Sequence, residues 1–450
     1  MLMTAQAEKL DFKRVFPLFV IVLIDLLGLT IIIPLLPLYA ASFGADPFTI
    51  GLINTVYPLM TFVAAPILGG LSDRIGRKPV LVGSQIGTFA GFILLAVANS
   101  LPLLLLSRMI DGVSGGNIVA AQAAISDLTT PKTRSAGLGL IGAAFGLGFT
   151  LGPAIAGISL ALTGNNYHVP ALIAAGFSLV SILLSVFWLK ETHQPGTTHE
   201  KNAAQSVPML SRVARAFANP ATGILLVLIF CQQLIFGGYE NLLALFNLNR
   251  LGLNAGGNAF LFAFIGIILV VVQGGMIGRL TARFGERRLI YAGLAMLAIS
   301  GLTIAFTPQQ PVPWYSRAEL EAELSGTRSS SVEPMSVALP DEAGSGWTGI
   351  IWLTIAMIPM SVGASVLSPS INSLLTKRAA TQAGGILGIS SSLTSAANAI
   401  TPAIGGSMFQ FIGAASPFLI GGLLLGALLG VALFRLHDIS LDQTSDAQAR

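Results

Sequence analysis

Four ionisable residues of this 450-residue chain sit inside apolar stretches long enough to cross a bilayer: Asp25, Arg108, Asp111 and Glu240. A charge at membrane depth is costly, so such residues usually face a cavity and carry function. Asp25 falls about ten residues into its stretch, roughly 15 Å at the α-helical rise, which is near mid-depth. Arg108 and Asp111 are three positions apart, share a helix face and are expected to pair. Glu240 follows Gly237 and Gly238, a pair that loosens a helix. The four histidines, His168, His193, His199 and His437, fall in expected loops or at a membrane edge. A proton carrier within the membrane is therefore expected to be a carboxylate. Low-dielectric surroundings disfavour a carboxylate's charged form, which lets it load and release protons.

These residues have competing roles. Asp25 is the first candidate for carrying a coupling proton, with substrate contact or a packing role as alternatives. Asp111 is a second proton candidate. Its pairing with Arg108 would otherwise neutralise both groups and stiffen the helix. Arg108 is also a candidate contact for an anionic substrate, or a group that tunes a nearby carboxylate. Glu240 divides between proton coupling, recognition of a cation and an outer-gate hydrogen bond. Tyr57, Phe62, Gln122, Phe236, Tyr239 and Gln273 are the expected cavity-lining side chains. Each aromatic among them has the alternative of facing lipid or a neighbouring helix.

The elements that hold these groups follow from composition. Hydrophobic residues make up 53% of the chain and charged ones 10%, and the mean hydropathy is +0.78. A spanning helix needs about 20 apolar residues. Twelve such stretches are expected, the first six between 16 and 189 and the second six between 222 and 436. The fold expected is an all-α polytopic membrane protein with 12 transmembrane helices in two pseudo-symmetric six-helix bundles. Its parts are an N-terminal bundle over 1–189, a cytoplasmic linker over 190–221 and a C-terminal bundle over 222–450. The basic N-terminal stretch with its apolar run reads as the first span, because the run is too long for a signal peptide. The single cysteine, Cys231, allows no intramolecular disulfide and reads as a packed core residue.

Lys and Arg set the orientation, since loops rich in them stay cytoplasmic. Of the 24, twenty fall on the side of the N-terminus, Arg250, Arg317 and Arg328 fall opposite, and Arg108 lies within a span. Both termini are therefore expected in the cytoplasm, with the chain in the cell's inner (plasma) membrane. This topology accounts for the net charge of +4, so no nucleic-acid partner is expected. The expected partners are the lipid bilayer and a small-molecule substrate, and the chain is expected to be a monomer.

Two loops on the same side read alike. Gly69 to Lys78 is Gly-Gly-Leu-Ser-Asp-Arg-Ile-Gly-Arg-Lys, and Gly278 to Arg287 is Gly-Arg-Leu-Thr-Ala-Arg-Phe-Gly-Glu-Arg. Gly76 and Gly285 are 209 positions apart, whereas Pro153 and Pro402, in Gly-Pro-Ala-Ile-Ala-Gly and Thr-Pro-Ala-Ile-Gly-Gly, are 249 apart. The growth in offset matches a polar segment at about 308–347, an outward-facing insertion in one half. It is expected to hold a short surface helix over Arg317 to Leu324 and a loop, with a substrate lid or a partner-docking arm as the alternative role.

These motifs resemble the major facilitator superfamily, and within it the twelve-span tetracycline-resistance-like and drug:proton antiporters. The loop Gly69 to Lys78 with Pro79 resembles the signature between spans 2 and 3. Asp25, Gly28, Pro34 and Pro37 resemble the first-span motif of the exporters. Arg108 to Gly112 resembles the fourth-span arginine motif, and Gly148, Gly152, Pro153 and Gly157 the fifth-span motif associated with antiport. The resemblance implies alternating access between two bundles. It also implies a latch built from Gly69, Asp73, Arg74, Gly76, Arg77 and Lys78, with Arg77 paired to Asp127 and Asp73 near the start of span 11. The tetracycline exporters carry further acidic residues in spans 3 and 9 and a histidine in span 8. Here Ala90, Leu297 and Leu269 stand at the matching stretches, so a generic lipophilic compound is expected rather than metal-chelated tetracycline.

No phosphate-cradling loop, helix-borne metal-ligand pair or nucleophile beside a base is legible, so neither an enzyme nor a cofactor or metal is expected. The expected energy source is an ion gradient. A carboxylate with nearby backbone oxygens serves a proton or sodium, and the proton is the first choice. Uptake or exchange of a metabolite, such as an organic anion held by Arg108, is the alternative within transport. A receptor or scaffold using the insertion is the alternative outside it.

Overall fold

The computed structural model describes residues 11–130, 133–192, 209–325, 337–378 and 383–448. His193, His199 and Arg328 lie outside the described residues. The described chain is helical throughout its ordered elements, and its helices are interrupted where the sequence removes a donor or a side chain. The first span is α1 (Phe12–Ile32) and α2 (Leu36–Ser42). The continuous helix expected there is divided around Pro34, which has no N–H to continue the ladder. Next come α3 (Pro47–Ile75), α4 (Arg77–Ala96), and α5 (Leu101–Gly115) with α6 (Asn117–Leu128). The last two are one span broken at Gly116. The first half ends with α7 (Arg134–Thr163) and α8 (His168–Phe187).

The expected linker contains a helix, α9 (Met209–Ala218). The second half continues with α10 (Pro220–Leu251) and α11 (Ala255–Val270), a π-helical segment at Val271–Met276, and α12 (Ile277–Ala305). The inserted helix α13 (Arg317–Ser325) is followed by α14 (Thr348–Arg378), α15 (Ala383–Phe411) and α16 (Ser416–Gln448). Among the described residues, ten helical stretches are long and apolar enough to cross a membrane. One of them, Ala255–Ala305, holds two spans, because Gly285 interrupts its helical geometry. The serine- and threonine-rich α15, at 29 residues, is long enough for another. The twelve expected spans are thus accounted for.

The loop repeat is also a repeat of conformation. Gly76 has φ 106° and ψ 160°, and Gly285 has φ 75° and ψ 157°. Each reverses the chain in a single residue between two long helices, in a region of φ/ψ that only glycine adopts without strain. The expected loop between spans 8 and 9 therefore shrinks to Gly285.

Lipid tails offer no hydrophobic drive for helices to associate, so close packing at small residues and interhelical hydrogen bonds must hold the bundles. In the first half, α1 packs on α7 and α8, α4 on α5 and α8, and α3 on α5. In the second, α12 packs on α14 and α16, and α10 on α15. The halves join through α3 against α15 and α7 against α11. There a Cβ on Gly51 would strike the backbone of Pro402 and Gly406, and one on Gly266 would strike that of Phe149 and Thr150. Gly157 lies on Ala259 and Phe260, and the rings of Phe48 and Phe411 are 6.2 Å apart.

These contacts between halves run from mid-depth to the end of the molecule that carries α13, here termed the insertion end. Toward the terminal end, where Gly76 and Gly285 lie, the walls part. Added Cβ atoms on Gly139, Gly142, Gly146, Gly274, Gly275 and Gly278 would meet no other atom.

Candidate functional site

Between the halves lies a cavity of about 690 Å³. Its first-half wall carries Asp25, Tyr57, Gln85, Arg108, Asp111 and Asn117, and its second-half wall carries Gln233, Phe236, Glu240, Gln273 and Asn398. The four ionisable residues singled out by depth thus line one chamber, three on one wall and one on the other.

Asp25 is positioned by the break in span 4. Gly116 ends α5, and Asn117 begins α6 with its side chain donating from Nδ2 to Asp25 Oδ2 at 2.9 Å. The other carboxylate oxygen, Oδ1, is buried without a hydrogen-bond partner. Glycines on α5 let α3 approach closely beside this arrangement. Thr61 Oγ1 donates to the Gly112 carbonyl at 2.9 Å, and side chains at Gly112 or Gly115 would collide with Tyr57.

Arg108 and Asp111 pair as their spacing requires, with Nη1 and Oδ2 3.1 Å apart and both side chains 2% exposed. The contact is an ion pair whose alignment is not that of a hydrogen bond. Arg108 Nε and Nη2 also lack hydrogen-bond partners, although the guanidinium stacks on the Phe92 ring at 5.7 Å from its centroid. Such stacking stabilises a cation without satisfying its N–H groups. Opposite, Gln233 Nε2 donates to Asn398 Oδ1 at 2.8 Å. Glu240 stands on the same helix as Gln233 and faces the cavity.

Other expected residues lie elsewhere. Tyr239 is buried between helices; its hydroxyl donates to the Phe418 carbonyl at 3.2 Å and its ring stacks on Phe418. Gln122 and Phe62 are exposed and outside the cavity wall. Gln273 lines the cavity from the π-helical segment. Of the residues standing where tetracycline exporters have polar groups, Leu269 lines the cavity, Leu297 is buried in the core and Ala90 is exposed.

The glycines of span 5 act by contact. Thr30 Oγ1 on α1 donates to the Gly148 carbonyl at 2.9 Å, and a side chain on Gly152 would collide with Thr30. Pro153 lies within α7. Gly148 and Gly152 thus seat span 5 on span 1, while Gly157 faces the second half.

At the terminal end, Arg77 Nε donates to Asp127 Oδ2 at 3.0 Å, and its Nη1 donates to Ser72 Oγ at 2.7 Å and to Asp73. Glu191 accepts from the backbone N–H groups of Arg77 and Lys78 at 3.0 and 3.1 Å, a carboxylate at a helix N-terminus. Lys78 Nζ reaches the Val186 carbonyl at 2.8 Å. Asp73 turns to Arg77, with its side chain 65% exposed. Gly69 packs beside Val119, and Arg74 is exposed.

Asn117 and Glu191 were not foreseen. The sequence Gly115-Gly116-Asn117 in the middle of an apolar run is the signal for the first, a breaker pair followed by a residue that favours helix starts. Glu191 carried no comparable signal.

The Major Facilitator Superfamily pattern matches residues 18–318. The chain belongs to the major facilitator superfamily. Within it, the chain is similar to "Tetracycline resistance protein, class B" of Escherichia coli, at 33% identity over 277 residues, 61% of this chain and 68% of that one. It is also similar to "Multidrug resistance protein 2" of Bacillus subtilis (strain 168), at 24% identity over 415 residues, 92% of each chain. A crystal structure of a human organic anion transporter shares the fold with a TM-score of 0.59 at 23% identity, covering 94% of this chain and 100% of that one. Superfamily members are transporters rather than enzymes, so this is a secondary transporter of small molecules that works by alternating access.

Proposed function

We propose that this transporter exports lipophilic small molecules in exchange for protons, and that Asp25 carries the proton. The observation that carries the reading is Asp25 itself. One oxygen is held by Asn117 and the other is buried and unpartnered, on the wall of a cavity that faces a second unpaired carboxylate, Glu240. Such a group changes charge as its surroundings alternate between wet and dry. Similarity to tetracycline- and multidrug-resistance proteins supports the direction of transport. Apolar residues at three positions where tetracycline exporters carry polar ones favour a broader lipophilic substrate.

On this reading the Lys- and Arg-rich terminal end faces the cytoplasm, and a cavity closed at the insertion end is the inward-open state. Arg77 with Asp127 tunes the balance between this state and its counterpart rather than touching substrate.

A second reading is favoured by Arg108, whose Nε and Nη2 are unpaired. An organic anion in the cavity would satisfy them. The test uses proteoliposomes with an imposed pH gradient and an internal pH dye, comparing the protein with Asp25→Asn across lipophilic cations and anions. Proton movement driven by cations and lost in the variant is expected. Movement with anions alone supports the second reading, and coupling retained in Asp25→Asn rejects Asp25 as carrier.

A further inference from the structure

The insertion within the second repeat ends in a contact that crosses between the halves. Its helix α13 is tied to the second half on one side. Val312 N donates to the Leu251 carbonyl at 3.0 Å, Gly346 N to the Pro311 carbonyl at 2.9 Å, and Tyr315 Oη to the Pro340 carbonyl at 2.9 Å. From this base α13 packs against α2 of the first half, with Leu320 and Leu324 buried in the common core.

One helical turn from Leu320, the Glu323 carboxylate gathers donors from both halves. Asn165 Nδ2 and Tyr167 Oη, in the connection between α7 and α8, each donate at 2.9 Å, and Asn254 Nδ2, at the start of α11, donates at 3.3 Å. The first-half partners are themselves braced. Tyr167 stacks on Tyr39 at 5.3 Å and 9° between ring planes, and Tyr39 Oη donates to the Ala98 carbonyl at 2.8 Å.

We infer that α13 is a clamp across the insertion end, and that Glu323 must release Asn165 and Tyr167 each time the two halves part there. With rigid attachment on both sides, a separation of even a few ångströms exceeds hydrogen-bond reach and cannot be absorbed by bending. The clamp is a positioning device: it sets how much of the protein is closed at this end and makes no contact with the central cavity. The other half has no counterpart, since the insertion is present in one repeat only. The inference depends on alternating access alone and not on the substrate or on Asp25.

The experiment measures distances between spin labels at Leu162→Cys and Phe306→Cys, exposed positions near the insertion end of each half, in a Cys231→Ser background reconstituted in lipid. It is run at a pH where the parent protein shows both a short and a long distance. Glu323→Ala should lower the ratio of closed to open protein by about tenfold, as expected for loss of a bridging hydrogen-bond group. Glu323→Gln, which keeps the shape and an acceptor, should retain most of the short distance. A second pair of variants acts from the other half: Tyr167→Phe removes one donor and keeps the stacked ring, and Asn165→Asp sets a like charge against Glu323. Both should shift the ratio the same way. Unchanged distances in Glu323→Ala and in both first-half variants, with the proteins monodisperse, would overturn the clamp.

Discussion

Arg77 and Glu286 occupy the same place in the two repeats with opposite charge. Each follows a positive-φ glycine, Gly76 or Gly285, and each begins a long helix. Each pairs with a residue at the terminal end of the next span, Arg77 with Asp127 and Glu286 with Lys377. The geometry of the repeat is kept while the ion pair is inverted. What the fold needs here is a link between neighbouring spans, and either polarity supplies it.

The two links should differ in strength. Arg77 is nearly buried and serves three side-chain acceptors, so Arg77→Ala should destabilise by about 1.5–3 kcal/mol. Lys377 is largely exposed, so Lys377→Ala should cost less than about 1 kcal/mol. Thermal unfolding in one detergent orders the two. The exchange Glu286→Lys with Lys377→Glu should recover most of the loss seen in either single variant, because it restores a pair of the polarity used in the first half.

Asn117→Ala should reduce substrate-dependent proton flux about tenfold while leaving the protein folded, since a hydrogen bond to a charged group is worth about 1.5–3 kcal/mol. Asn117 touches Asp25 through one bond, so in a background that already carries Asp25→Asn, which has no proton flux to lose, Asn117→Ala should leave substrate binding unchanged. A further loss of substrate binding in the double variant would show that the two act separately.

Gly152→Val should lower the melting temperature sharply, because the new side chain meets Thr30 and the backbone of α1 where span 5 is seated; overpacking of this kind costs about 1–3 kcal/mol. Gly139→Ala, on the same helix but facing open space, should be neutral or slightly stabilising. Equal melting shifts for the two would contradict the packing described for α7.

The clamp should respond to pH. Burial raises the Glu323 carboxyl above its ordinary value, against the lowering effect of its hydrogen bonds to Tyr167, Asn254 and Asn165. A group with a raised value in the closed arrangement binds its proton more tightly there than when released. The closed arrangement is therefore favoured at low pH and loses that advantage as pH rises through the raised value. Tyr167, the ionisable group in contact with Glu323, is itself held well above its ordinary value, so it remains neutral in this range. Glu319 lines the same pocket, while Arg317 is engaged with Glu321 and Asp341; α2 presents no charged residue, and His168 at the start of α8 is turned to Tyr39 and the Ala96 carbonyl. The labelled protein should show more of the long distance as pH is raised from about 4 to about 8. Glu323→Gln should abolish that dependence.

Charge was the legible part of the site and orientation was not. Asp25, Arg108, Asp111 and Glu240 announce themselves because an ionised group in an apolar run has few tolerable surroundings, and all four line the cavity. Tyr239 and Gln122 are expected there by residue type alone, yet one packs between helices and the other is exposed. In a membrane helix both lipid and neighbours are apolar, so the pattern of apolar residues does not reveal which face looks inward. The same limit hid Asn117, an uncharged amide whose role depends on a break in its helix. The spans and the repeat were legible because length and paired glycines are local properties. The crossing made by Glu323 was not, since it joins positions 158 and 156 residues apart.

Among the described residues, the π-helical segment at Val271–Met276 sets span 8 apart from the α-helical spans around it. A π-turn stores one residue more than the α-helix around it. If that residue were paid out into regular α-helix, everything on one side would rotate by about 100° relative to the other. Gln273 lies within the segment, and the nearby Gly274, Gly275 and Gly278 present no side chain to obstruct the turn. A swivel of this kind would swap the chemical character of one strip of the cavity wall without moving the helix axis, so the chamber's polarity need not be the same in every state of the cycle.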